Sequence, residues 1–69
     1  MPPFTNQQRL LITTLADCDL RLSKTAQVLG WHRNTLGIRM DKIQRQTGLD
    51  PRRFRDLCQL MERMEDDGK

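Results

Sequence analysis

The sequence predicts an all-α domain of four helices, at about 6–16, 23–29, 33–46 and 51–65. Three observations lead there. Apolar residues recur at three- and four-residue spacing within each segment. Helix start and stop signals fall between the segments. No stretch alternates apolar and polar residues for long enough to make a strand. The chain has 69 residues, 36% apolar and 30% charged, which allows a single domain spanning 1–69. So short a chain has a small core, and a partner subunit or ligand would add to its stability.

The first helix begins at a Thr-x-x-Gln capping box, Thr5 to Gln8, in which each side chain satisfies a backbone N–H. Leu11 and Leu15 lie one turn apart, and Leu10 and Ile12 widen the apolar face. Asp17 to Arg21 reads as a connection. The second helix spaces Leu22, Ala26 and Leu29 at i, i+4, i+7 and stops at Gly30, since glycine enters a left-handed helix end at little steric cost. Leu36, Met40 and Ile43 repeat the spacing in the third helix, which Thr47-Gly48 ends. Asp50-Pro51 reads as the cap and first residue of the fourth helix, where Phe54, Leu57, Cys58, Met61 and Met64 share a face. Asp66-Asp67-Gly68-Lys69 reads as a frayed tail.

Several functions are excluded at this level. No apolar run approaches the ~20 residues of a membrane span, and Met1-Pro2-Pro3 does not open a signal peptide. Two cysteines make neither a disulfide framework nor a zinc cage; Cys18 reads as a connection residue and Cys58 as a core residue. His32, the only histidine, has no acidic or thiol partner nearby in sequence. The expectation is a cytoplasmic protein that is not an enzyme and needs no cofactor or metal.

The formal net charge is +3, but it is unevenly placed. Residues 21–55 hold nine basic side chains against Asp41 and Asp50, a balance of +7, while residues 1–20 carry −1 and residues 56–69 carry −3. A basic middle between acidic ends suits a polyanion-binding centre. The plain alternative is a solvated helix surface.

The segment from Ser23 to Ile43 joins a short helix, a glycine-led turn and a second amphipathic helix, the helix-turn-helix pattern. Ala26 is small where two helices cross, Gly30 makes the turn, and Trp31 covers its apolar corner. With Leu36 and Met40 facing inward, His32, Arg33, Asn34, Thr35, Gly37, Ile38 and Asp41 fall on the outer side or the exposed N-terminal end. In this motif the second helix enters the major groove of DNA. His32, Arg33, Asn34, Gly37 and Ile38 are therefore candidate base contacts. Arg33 suits guanine O6 and N7, Asn34 suits adenine N6 and N7, and Ile38 suits a thymine methyl. His32 also reads as a turn residue hydrogen-bonding solvent or phosphate. Ser23, Lys24, Thr35, Arg39, Lys42 and Arg45 are candidate phosphate contacts, which supply affinity but not sequence choice. Arg52, Arg53 and Arg55 either reach phosphate or keep a helix surface soluble.

The frame Thr25-Ala26-x-x-Leu29-x-x-His32-Arg33-Asn34-Thr35-Leu36-x-x-Arg39, followed by Ile43-x-x-x-Thr47-Gly48-Leu49-Asp50, resembles the C-terminal helix-turn-helix of bacterial PucR/CdaR-type regulators. It is similar, more distantly, to the Fis-type helix-turn-helix. The resemblance covers roughly residues 22–50. It implies sequence-specific DNA binding in bacterial transcription control, at the nucleoid and usually as a dimer, with Arg33, Asn34 and Thr35 in DNA contact. Gly37-Ile38 departs from the Arg-Tyr common in the family, which implies a different target site. A glycine inside a helix costs about 1 kcal/mol relative to alanine, yet it also lets the backbone approach DNA. The family's long upstream sensory region is missing, so the chain is either a small stand-alone regulator or an excised DNA-binding domain.

One recognition helix reads few base pairs, so a homodimer on an inverted repeat is expected, with half-sites about 34 Å apart. The first or the fourth helix would form the contact; the fourth carries more exposed-looking apolar residues, so Phe54, Leu57, Leu60, Met61 and Met64 are the candidate dimer face. Two other readings stay open. One is a small helical protein-interaction module using the apolar face of 54–64, and the other is a weakly selective, Fis-like architectural DNA binder.

Overall fold

The computed structural model describes residues 4–67, with side chains through residue 65. The Met1-Pro2-Pro3 opening and the Gly68-Lys69 end of the acidic tail lie outside them. The described residues form four helices in sequence: α1 (Asn6–Asp17), α2 (Leu22–Leu29), α3 (Arg33–Thr47) and α4 (Phe54–Asp67). The expected fold class and the first three elements agree to within a residue at each boundary. Asp66 and Asp67 continue the helical backbone of α4.

Helix α1 starts as its sequence dictates. The Thr5 hydroxyl accepts from the Gln8 N–H at 3.1 Å, and the Gln8 side-chain oxygen accepts from the Thr5 N–H at 3.0 Å. Phe4, just outside the helix, is buried in the core, and the Gln8 amide also donates to Gln46 of α3 at 3.2 Å. Leu11, Ile12 and Leu15 are fully buried, whereas Leu10 is exposed. Cys18 caps the helix and begins the connection to α2, as expected, but is buried there. Asp19 and Leu20 both take positive φ, at 54° and 64°. Leu20 there donates its N–H back to the Leu15 carbonyl at 2.9 Å and packs on the core.

Helix α2 packs on α1 and α3, with Ala26 buried at the crossing and Leu22 partly exposed at its start. Gly30, at φ 72°, ends it. Leu36, Met40 and Ile43 of α3 enter the core as their spacing predicts, and Gly48 closes the helix at φ 77°.

The fourth helix starts three residues later than expected. Asp50 and Pro51 form a turn, in which Asp50 Oδ1 accepts from the Arg52 N–H at 3.0 Å and the Asp50 carbonyl from the Arg53 N–H at 3.0 Å. An Asx residue followed by proline serves a turn as well as a helix cap, because both need the same proline φ and the same side-chain acceptor. Pro51 is fully buried, so the turn is anchored to the core.

The face of α4 that meets α1 also differs from the expectation. Leu57, Leu60 and Met64 are the residues buried in the core. Phe54 is 69% exposed, Cys58 is exposed rather than a core residue, and Met61 is half-buried. Three of the five candidate dimer residues, Leu57, Leu60 and Met64, therefore hold the chain's own core together and are not free to meet a partner. Phe54 and Met61 remain on the surface side.

Candidate nucleic-acid interface

Burial of Leu36, Met40 and Ile43 fixes the orientation of α3. With the helix period of 3.6 residues, Asn34, Ile38, Asp41 and Arg45 form a line on the opposite side, and all four are exposed. Ile38, at 66% exposure, is a large apolar side chain on that line with no core to bury it. Arg33 and Asn34 are exposed at the N-terminal end of the helix, and Lys42 is exposed beside the line. Thr35 and Gly37 are half-buried on its two flanks. Ser23 and Lys24 are exposed in the first turn of α2. The structure thus brings the candidate base-contact set, His32, Arg33, Asn34, Gly37 and Ile38, onto one end and side of a single helix.

His32 has a role the sequence reading missed. It is the N-cap of α3, and its Nδ1 accepts from the Asn34 N–H at 3.1 Å. Asn, Asp, Ser and Thr are the familiar cap residues, so a histidine in this position gives little signal. Accepting at Nδ1 makes Nε2 the protonated nitrogen of the neutral ring, so the outward edge of His32 presents a donor.

Arg39 was a candidate phosphate contact, but its side chain is engaged within the chain. Its guanidinium carbon lies 4.5 Å from the centroid of the Trp31 ring, and Nη1 donates to the side-chain oxygen of Gln7. A cation over an indole face contributes about 0.5–1 kcal/mol at a partly exposed site. Arg39 therefore ties α3 to the turn before it and to the start of α1. Trp31 is half-buried and packs on the core, covering the corner of the turn as its position predicts. A cleft of about 600 Å³ lies between the α1 N-terminus and α3, where Ile38, Arg39 and Lys42 line it.

Arg52 takes neither role expected of it. Its Nη2 meets Asp41 Oδ1 at 2.8 Å, its Nη1 meets Asp50 Oδ1 at 3.3 Å, and Nη2 also lies 3.4 Å from the Gly37 carbonyl oxygen. Asp41 and Asp50 are the only acidic residues between positions 21 and 55, and one arginine binds both. The hydrogen bond to Asp41, with the nearby Asp50 charge, raises the Arg52 pKa above its ordinary value in spite of partial desolvation. Within the basic segment, then, neither carboxylate stands alone beside the cations. Arg53 and Arg55 remain exposed.

The burial pattern, the glycine-led turn and the exposed outer line together make a complete helix-turn-helix. A family model described as the PucR C-terminal helix-turn-helix domain matches residues 9–62. The chain belongs to that family. The match extends beyond the segment that carries the resemblance in sequence and takes in most of α1 and of α4. No curated protein and no solved structure matches the chain. Membership of the PucR helix-turn-helix family points to DNA binding in transcription regulation, with DNA as the partner. Among the described residues no group of His, Cys, Asp or Glu is arranged to hold a metal ion, and no helix is long and apolar enough to cross a membrane.

Proposed function

We propose that this chain reads double-stranded DNA sequence-specifically, with α3 in the major groove, and regulates transcription as a homodimer on an inverted repeat. The observation that carries the reading is the division of α3: Leu36, Met40 and Ile43 are buried, while Arg33, Asn34 and Ile38 are exposed at the end and side a groove would meet. Arg33 would grip a guanine edge, Asn34 an adenine edge, and Ile38 a thymine methyl. His32 would offer its outward N–H to a base or phosphate acceptor. Ser23, Lys24, Thr35, Lys42 and Arg45 would contact phosphate; Arg39 is left to hold α3 in place.

For the dimer, the support is the apolar face left on α4. Phe54, Cys58 and Met61, with Leu20, line a hollow of about 200 Å³ that is open among the described residues. The same hollow is what a protein-interaction module would use.

Selection of bound fragments from a random duplex pool tests the reading. A two-fold site is expected, with affinity falling steeply with salt, roughly 0.9 log units per log unit of salt for each phosphate neutralised. Mismatched positions should cost about 1–3 kcal/mol each; a uniformly smaller cost would mark an architectural binder instead. Joint Arg33→Ala and Asn34→Ala substitution should abolish selection while the chain stays folded. Failure to select any duplex would leave the interaction module as the better account.

A further inference from the structure

Three glycines fall among the described residues, and two of them are accounted for by the backbone. Gly30 and Gly48 sit at φ 72° and 77°, where a side chain is strained. Gly37 does not. It lies inside α3 with no positive φ, and a Cβ built on it would meet nothing within 4 Å. Glycine is among the poorest residues for a helix interior. The fold therefore asks for neither its freedom nor its small size at this position, and carries it at a loss.

The surroundings of Gly37 show what would use the space. Arg33 and Asn34 lie one turn before it and Asp41 one turn after it, all exposed. Ile38 follows it, 66% exposed. Arg52 reaches the Gly37 carbonyl at 3.4 Å without entering the volume a Cβ would occupy. The bare backbone thus forms a notch on the flank of α3, between the candidate base-reading residues and a guanidinium.

We infer that Gly37 is a specificity-determining position, at which the missing side chain lets a DNA duplex approach the α3 backbone more closely than any other residue would allow. The inference rests on the DNA-reading assignment above and names a contact made by absence. It separates two quantities that usually fall together. Gly37→Ala should raise the melting temperature by a few degrees, because alanine favours the helix and finds open space. The same change should weaken binding to the selected duplex at least tenfold, and Gly37→Leu should weaken it further.

The experiment compares the unaltered chain, Gly37→Ala and Gly37→Leu by thermal unfolding and by titration of the duplex selected by the unaltered chain. Higher stability with a stepwise rise in Kd supports the notch. A Kd within twofold of the unaltered chain for both variants overturns it and leaves DNA reading intact. A lowered melting temperature in Gly37→Ala also overturns it, since the fold would then need the glycine. If the unaltered chain selects no duplex, the DNA-reading assignment fails first and the notch falls with it.

Discussion

The turn after α1 and the turn after α2 make the same reversal with different residues. At both helix ends a backbone N–H returns five residues to a carbonyl at 2.9 Å, from Leu20 to Leu15 and from Trp31 to Ala26. The first turn places Asp19 and Leu20 in the left-handed region; the second places Gly30 there. A non-glycine residue in that region costs about 1–2 kcal/mol. The first turn offsets that cost by packing, since Leu20 lies against the core and Cys18 before it is buried. The second turn has less to pack: Gly30, His32 and Arg33 are all exposed, and only Trp31 reaches inward. A turn that touches the core can hold a strained backbone with its side chains. A turn whose side chains mostly face outward must obtain the same geometry from the backbone.

Substitutions at Gly30, Asp19 and His32 test that contrast, and one at Asp41 gives a reference outside it. The largest effect is expected from Gly30→Ala, which puts a Cβ at φ 72° with no packing in return; stability should fall by about 1–2 kcal/mol, read from the denaturant midpoint at unchanged m value. Asp19→Gly should move the other way, by about 0.5–1 kcal/mol, because it removes a left-handed side chain that is exposed. A loss there would mean that Asp19 makes a contact worth more than its strain. His32→Ala should cost about 0.5–1 kcal/mol by removing the acceptor for the Asn34 N–H, and His32→Asn should recover most of it. The smallest change belongs to a contact outside both turns. Asp41→Asn should cost less than about 1 kcal/mol, and the cost should shrink in high salt, as for other solvent-accessible ion pairs.

The legible parts of this fold are those determined within a turn or two of chain. The capping box at Thr5, the small Ala26, the stop at Gly30 and the buried stripe of Leu36, Met40 and Ile43 all follow from local spacing, and the structure has each of them. Helix α4 was harder because its apolar residues cover more than one stripe. Phe54, Cys58 and Met61 compete with Leu60 for the inward face, and only the position of α1 decides in favour of Leu57, Leu60 and Met64. Cys58 was misplaced in the core for the same reason. The engaged arginines were not legible at all. Arg39 meets Gln7 across 32 positions, and Arg52 meets Asp41 across 11, distances over which a single sequence carries no pairing signal. The exposed set at the start of α3 was legible, since a buried stripe on one side of a helix leaves the other side free.

The indole stacked beneath Arg39 belongs to the chain's single tryptophan, and it sits at the corner between α2 and α3. Intrinsic fluorescence of this protein is therefore a one-site signal. Its emission follows the bend between two adjacent helices, whereas circular dichroism sums over all four. Any ligand that tilts α3 or draws Arg39 away from the ring will change the light emitted, without a dye and without altering a residue.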